Sequence, residues 1–202
     1  GTWLLAHAPG RLGEYLGLTG ASMTASDAIY ARFADHFVPS DRLPSLAEAL
    51  ETRADPASPT ELVLLFDESV EPGPLEAARE WIDDAFSADT VSGIIERLRR
   101  RDEDAASAAA DTLEQLSPTA LAVTLAAVRA ARELPDLRAA LAQEYALVMW
   151  SATTQHDLRE GIRAQLVDKD RNPKWNPGTL AEVPAERADE ALRHSPRIPL
   201  WS

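Results

Sequence analysis

Cysteine is absent from the 202 residues, which excludes disulfides, thiolate catalysis and zinc sites built on thiolates, and fits a reducing compartment. Lysine is nearly absent: Lys169 and Lys174 are the only two. Lysine and arginine together number 20 against 33 acidic residues, a formal charge of −13. That balance argues against a nucleic-acid partner and against adsorption to an anionic membrane, since either needs a basic surface. Any polyanionic ligand must find a local cluster of cations. No apolar run approaches the roughly 18 residues of a membrane-spanning helix. The stretch Gly1 to Gly10 has no basic leading region and too short an apolar core for a signal peptide. These absences describe a soluble, intracellular chain. No internal repeat or low-complexity tract is visible beyond an abundance of alanine.

What is present is helix pattern. Apolar residues make up 45% of the chain, enough for a sizeable core. Leu12, Tyr15 and Leu16 share one face of a short helix that Gly20 stops, and Gly13 and Gly17 allow close packing on it. Thr24 to Asp27 caps a second helix. His36-Phe37-Val38 is the one strand-like run, too short to stand alone. Ser40 to Glu51 reads as an amphipathic helix with Leu43, Leu46 and Leu50, and Arg53 to Pro59 as a Pro-rich joint. Helices are expected over Thr60–Asp67, Leu75–Phe86, Val91 to Arg101, Asp104–Leu116, Thr119–Glu133, Pro135 to about Ser151, Asp157 to Leu166, and Ala185–His194. Trp81, off the strictest stripe of its helix, is expected against a neighbouring element. The apolar end, Ile198 to Trp201, is expected to dock on the protein. The fold expected is mainly α, with at least eight helices and at most one or two very short strands.

The most informative stretch is Gln155 to Pro177. Asp157 can cap a helix whose Leu158, Ile162 and Leu166 form one stripe, the pattern of a packed helix. Lys169, Arg171 and Lys174 follow it, beside Trp175. One account is a helix end favoured by positive charge, worth about 1 kcal/mol or less; the other is a phosphate site, to which Arg163 also contributes. Trp175 suits an anchor for the turn, or a platform beneath an adenine. Three further groups invite a catalytic reading and are better read otherwise. His36 has no nucleophile signature beside it and suits a structural role. Glu144, on an apolar arc, has no second carboxylate placed beside it by local spacing and suits hydrogen bonding. Arg97, Arg99, Arg100 and Arg101 are followed at once by Asp102, Glu103 and Asp104, a self-compensated helix end.

The order Glu160-Gly161-Ile162-Arg163-Ala164, Val167-Asp168-Lys169-Asp170, Pro173-Lys174-Trp175 resembles the C-terminal signature of the 3-hydroxyisobutyryl-CoA hydrolases, a branch of the crotonase (enoyl-CoA hydratase/isomerase) superfamily. Tyr15-Leu16-Gly17-Leu18-Thr19-Gly20, Ala34 to Ser40, and Phe86 to Val91 are similar to the same branch. The resemblance implies that the chain is the C-terminal helical half of a crotonase-type α/β spiral fold. It divides the chain into the end of the core at 1–52, a helical segment after the joint at 53–116, and a helical cover of the CoA channel at 117–202.

It also implies a thioester hydrolase acting on a short 3-hydroxyacyl-CoA in valine breakdown. In that branch a Glu, an Asp and two backbone amides do the chemistry, in a stretch just upstream of the segment that Gly1-Thr2-Trp3 resembles. The chain then reads as a cut through a longer protein, without a catalytic residue of its own and inactive alone. The implied ligands are the CoA phosphates at Lys169, Arg171, Lys174 and Arg163, with no metal and no cofactor beyond the substrate's CoA. The implied partners are the acyl-CoA and the N-terminal catalytic half; a homo-oligomer is allowed. The place is bacterial cytoplasm or mitochondrial matrix. The alternatives are an enoyl-CoA hydratase or isomerase, and a non-catalytic helical assembly module.

Overall fold

The computed structural model describes residues 1–52 and 58–201. Most of the expected Pro-rich joint, residues 53–57, and with it the boundary between the first two expected segments, lies outside the described residues. Thirteen α-helices and no strand occur among the described residues. The first six are α1 (Thr2–His7), α2 (Leu12–Thr19), α3 (Ala25–Tyr30), α4 (Leu43–Thr52), α5 (Pro59–Leu64) and α6 (Pro74–Ala77). Then come α7 (Arg79–Ala85), α8 (Val91–Arg99), α9 (Asp104–Gln115) and α10 (Pro118–Ala130). The last three are α11 (Leu137–Thr154), α12 (Asp157–Ile162) and α13 (Arg187–Leu192). A π-helical turn, Arg163–Val167, continues α12. The chain forms two compact units, one of Gly1–Ala21 with Glu80–Ser202, the other of Ser22–Arg79.

In the first unit α10 is the central helix. Ser117 caps it by accepting from the Ala120 N–H at 3.1 Å, and Pro118 occupies the first turn, where no amide donor is needed. It buries Leu121, Leu125 and Val128, and also Val123 and Ala127. A helix that is apolar nearly all round belongs inside, and α10 packs against α1, α2, α8 and α13. Val123 meets Trp150 of α11 and Ala191 of α13. Phe86, Leu12, Ile82, Ile94, Leu98 and Leu113 are also fully buried, each worth about 1.5–3 kcal/mol relative to exposure. Trp81 is buried and meets Tyr15 edge-on at 5.6 Å, the neighbouring contact its off-stripe position suggested. Gly13 lets α1 and α2 touch: a Cβ there would lie 1.8 Å from the Leu5 carbonyl oxygen.

The arginine run at the end of α8 is compensated, but mostly by acids other than the adjacent ones expected. Arg99 pairs with Asp111 at 2.6 Å and Glu114 at 2.8 Å, and Arg101 with Glu103 at 3.1 Å. The expected single helix from Leu75 to Phe86 is two, because Ala78, at ψ −7°, ends α6 before α7 begins.

The second unit is held by Asp27. Thr24 and Asp27 form a reciprocal capping box on α3. The other oxygen of the buried Asp27 carboxylate accepts the Leu75 N–H at 2.8 Å, which draws the start of α6 onto α3. Burial alone would raise the Asp27 pKa, but the Leu75 and Thr24 donors outweigh it and leave it lowered. Gly73 fits beside this carboxylate because a Cβ would come within 2.3 Å of Oδ1. His36-Phe37-Val38 is not a strand: its partner is a loop, with the Glu68 N–H donating to the Phe37 carbonyl at 2.9 Å. His36 Nδ1 lies 2.8 Å from Asp67, which also accepts the Phe37 N–H. The stripe Leu43, Leu46, Leu50 is not a buried face, since α4 buries no residue and Leu43 and Leu50 are exposed.

Candidate functional site

Helix α12 overturns its hydrophobic pattern. Leu158, Ile162 and Leu166 are exposed, by 40%, 47% and 69%, while Asp157, Glu160 and Ala164 are buried. The reason is hydrogen bonding: each buried acid accepts from donors that only this side of the helix offers. Asp157 does not cap α12. It accepts the Ser117 hydroxyl at 2.5 Å and the Asn176 N–H at 2.8 Å, joining the start of α10 to the chain beyond Trp175. Glu160 accepts the Lys174 N–H at 2.7 Å and receives a forked pair from Arg163, Nε at 2.9 Å and a terminal nitrogen at 2.8 Å.

Arg163 therefore faces carboxylates. Its remaining donors reach Asp168 and Asp170, both at 2.7 Å, and the Asn172 carbonyl at 3.3 Å. A guanidinium has five N–H donors, and each has an acceptor here. The Arg163 interaction and the Lys174 N–H hold the Glu160 carboxyl down at about 2, and Glu160, Asp170 and Asp168 in turn raise the pKa of Arg163. The loop 168–176 is further fixed by backbone bonds from Asp168 N–H to the Arg163 carbonyl and from Arg171 N–H to the Ala164 carbonyl. Trp175 donates to the Gln115 carbonyl at 2.9 Å and covers Gly161, where a Cβ would lie 3.5 Å from its ring.

Lys169, Arg171 and Lys174 are exposed on this loop. Lys169 and Arg171 adopt left-handed backbone, φ 57° and 52°, a conformation costing a non-glycine residue about 1–2 kcal/mol. Lys174 Nζ reaches the Asn172 side chain at 3.0 Å. Among the described residues, no carboxylate forms an ion pair with any of the three. Arg163, grouped with them by sequence, is instead enclosed by Glu160, Asp168 and Asp170.

Sequence reasoning did not see that enclosure, although the i,i+3 spacing of Glu160 and Arg163 and the alternation Asp168-Lys169-Asp170 were its signal. It also missed Glu14. This carboxylate is fully buried on α2 and bonded to Arg132 at 2.7 Å and Arg11 at 2.8 Å, with Arg129 Nε at 3.6 Å. Glu144 accepts from the Thr2 hydroxyl at 2.7 Å and from the backbone nitrogens of Thr2 and Gly1, so it holds the start of α1. A cleft of about 440 Å3 between α8, α10 and residues 180–188 has mostly apolar walls, Val91, Leu125, Ala126 and Val183 among them. Its arginine, Arg129, already donates to the Phe86, Ala88 and Asp89 carbonyls. No group of three or more His, Cys, Asp or Glu that could hold a metal occurs among the described residues. None of the described helices is long and apolar enough to cross a membrane.

The pattern of the family described as enoyl-CoA hydratase/isomerase matches residues 1–192. The chain belongs to that family. It is 34% identical over 200 residues to "3-hydroxyisobutyryl-CoA hydrolase, mitochondrial" of Danio rerio, covering 95% of this chain and 52% of the relative. It is 35% identical over 193 residues to "3-hydroxyisobutyryl-CoA hydrolase 1" of Arabidopsis thaliana, covering 90% and 50%. Among solved structures, a carnitinyl-CoA dehydratase from Mycobacterium thermoresistibile superposes with a TM-score of 0.86 at 42% identity, covering 95% of this chain and 54% of that one. An enoyl-CoA hydratase from Rhodobacter sphaeroides 2.4.1 superposes with a TM-score of 0.84 at 40% identity, covering 96% and 54%. The chain thus spans about half the length of the relatives it matches, and the helical character of its described residues is that of the corresponding part of a crotonase fold.

Proposed function

We propose that this chain is the helical, CoA-binding part of a 3-hydroxyisobutyryl-CoA hydrolase. The observation that carries the reading is the loop after α12, where Arg163 gathers Glu160, Asp168 and Asp170 while Lys169, Arg171 and Lys174 stay exposed and without carboxylate partners. CoA carries a pyrophosphate and a ribose phosphate, and point-charge donors such as lysine suit them. In a chain of net charge −13 long-range attraction does not gather an anion, so local cations must. Arg163 contributes by shaping this loop and not as a phosphate ligand. The catalytic Glu and Asp and the oxyanion hole belong to the part of the relatives' length that this chain does not span. In the reaction, water adds to the acyl carbon, the C–S bond breaks, and the sulfur takes a proton to leave as free CoA thiol.

The names of the two curated relatives favour hydrolysis over hydration. The two solved neighbours carry dehydratase and hydratase titles, so both reactions are assayed. The complete protein is expected to release CoA thiol from 3-hydroxyisobutyryl-CoA and to leave an enoyl-CoA unhydrated; the opposite result ends the hydrolase reading. No cofactor beyond the substrate's own CoA is required by this chemistry. The mitochondrial name of the Danio rerio relative supports a mitochondrial matrix location in a eukaryote, and the two solved neighbours, both bacterial, fit bacterial cytoplasm otherwise. Replacing Lys169 and Lys174 together by alanine is expected to raise KM for the acyl-CoA with little change in kcat, more strongly at low salt than at high. An unchanged KM would return these residues to the role of a favourably charged helix end.

A further inference from the structure

We propose that Glu160 is a positioning residue for the CoA phosphates, acting through Arg163 to hold the loop on which Lys169, Arg171 and Lys174 are displayed. The inference rests on the reading of those three cations as the phosphate donors, and it explains how a loop without a core of its own comes to hold them.

The geometry alternates. Residues 168, 170 and 172 each give an acceptor to Arg163, two carboxylates and one carbonyl. Residues 169 and 171, between them, are cationic, exposed and in left-handed backbone. The anchoring and the display of charge are thus assigned to alternate positions of one segment. Arg163 can hold three loop residues only if it is itself fixed, and the fork to Glu160 fixes it. Glu160 reaches past Arg163 as well, because its carboxylate takes the Lys174 N–H and so sets the third cation directly. A planar guanidinium with all five donors engaged has one orientation, which a lysine ammonium could not supply. The loop is thereby ordered before the ligand arrives, and binding need not order it.

The sign of the effect separates positioning from mere proximity. Glu160 is an anion near three cations, so neutralising it by electrostatics alone would strengthen binding of a polyanion. If Glu160 positions the loop, neutralising it weakens binding. A purely structural role would lower stability and leave affinity in the folded protein unchanged.

The test uses the complete protein, titrated with coenzyme A by calorimetry. Glu160→Gln is expected to raise Kd by roughly three- to tenfold, the cost of ordering one or two side chains on binding. KM for the acyl-CoA should rise in step while kcat holds. Asp168→Asn with Asp170→Asn leaves the fork on α12 intact and also removes negative charge. It is expected to weaken binding similarly, and it keeps the test decisive if Glu160→Gln fails to fold. Lys169→Ala with Lys174→Ala is the control for the underlying reading. If that control weakens binding while the Glu160 variant, or in its place the Asp168 and Asp170 variant, binds equally well or more tightly, positioning is overturned and the phosphate reading stands. If the lysine control leaves Kd unchanged, both are overturned.

Discussion

Replacing Glu14 by glutamine should cost far more stability than any other single charge change in the first unit. The carboxylate is fully buried and holds Arg132 at 2.7 Å and Arg11 at 2.8 Å, with Arg129 Nε at 3.6 Å. Arg132 also donates to the Ala6 carbonyl, and Arg129 to the carbonyls of Phe86, Ala88 and Asp89. One carboxylate therefore neutralises cations that tie α1, α2 and the turn after α7 to α10 and the 3-10 turn that follows it. Removing one partner of a fully buried pair costs about 3–5 kcal/mol; because the three arginines left behind are each 25–34% exposed, the lower end, about 3 kcal/mol, is expected here. Against a total stability of about 5–15 kcal/mol, that is a large share, and it corresponds to a fall in Tm of roughly 10 °C for a unit of this size. The assay is urea unfolding followed by far-ultraviolet circular dichroism, with thermal melting beside it. The pH dependence has a definite sign. Burial pushes the Glu14 pKa up, but the bonds from Arg132 and Arg11 outweigh it and the folded value is lowered from 4.5. The stabilisation is therefore fully present above pH 4.5 and is lost as the pH falls through the lower folded value. A loss below about 1 kcal/mol, the range of an exposed pair, would refute the view that this carboxylate organises the unit.

Gly13→Ala should destabilise by at least about 1–3 kcal/mol, the usual range for overpacking, because its Cβ would fall 1.8 Å from a backbone oxygen that cannot swing aside; a melting curve within error of wild type would contradict the close approach of α1 and α2. Trp175→Phe should lose the bond to the Gln115 carbonyl, worth about 0.5–1.5 kcal/mol, while keeping a ring over Gly161; hydrogen exchange in the loop 168–176 should quicken more than exchange in α10. In the second unit the contact with His36 and the Phe37 N–H lowers the pKa of Asp67 from 3.8, so its hold on the Phe37 amide persists at that pH and is lost only as the pH falls through the lower folded value. Following the Phe37 amide shift through an acid titration checks this, and a midpoint above 3.8 would contradict it.

Much of the helix set was legible because it is written in local chemistry. Thr24, Thr90 and Ser117 each cap the helix that follows by accepting an amide three residues on, and Gly20, at φ 63°, stops α2. What was not legible depends on partners distant in sequence. Glu14 meets Arg132 across 118 residues, and no local pattern marks such a pair. The α12 face was misread for a related reason: periodicity assumes that apolar residues are the buried ones. Asp157 and Glu160 have hydrogen-bond partners in the buried Ser117 hydroxyl and in the amides of Asn176 and Lys174, and with those in place polar burial wins. The two lysines were conspicuous by their rarity, but that Asp168 and Asp170, on either side of Lys169, turn back to Arg163 was not read from the sequence.

The inversion of α12 bears on how the loop can serve a ligand. A loop packed by leucines would share the fate of the core, and any change to it would appear as lost stability. Here the leucines of the stripe face outward and the loop is held by one arginine, three carboxylates and a few backbone amides. Directional bonds of this kind fix orientation more than they add net stability, because each replaces a bond to water. The order of the cation loop is therefore largely separable from the stability of the helices beneath it. That separation lets a chain with a large excess of negative charge hold three exposed cations, two of them in left-handed backbone, without surrounding them by neutralising partners. The carboxylates that would otherwise pair with them are drawn to Arg163 instead, so the same residue that orders the loop also keeps its cations unpaired.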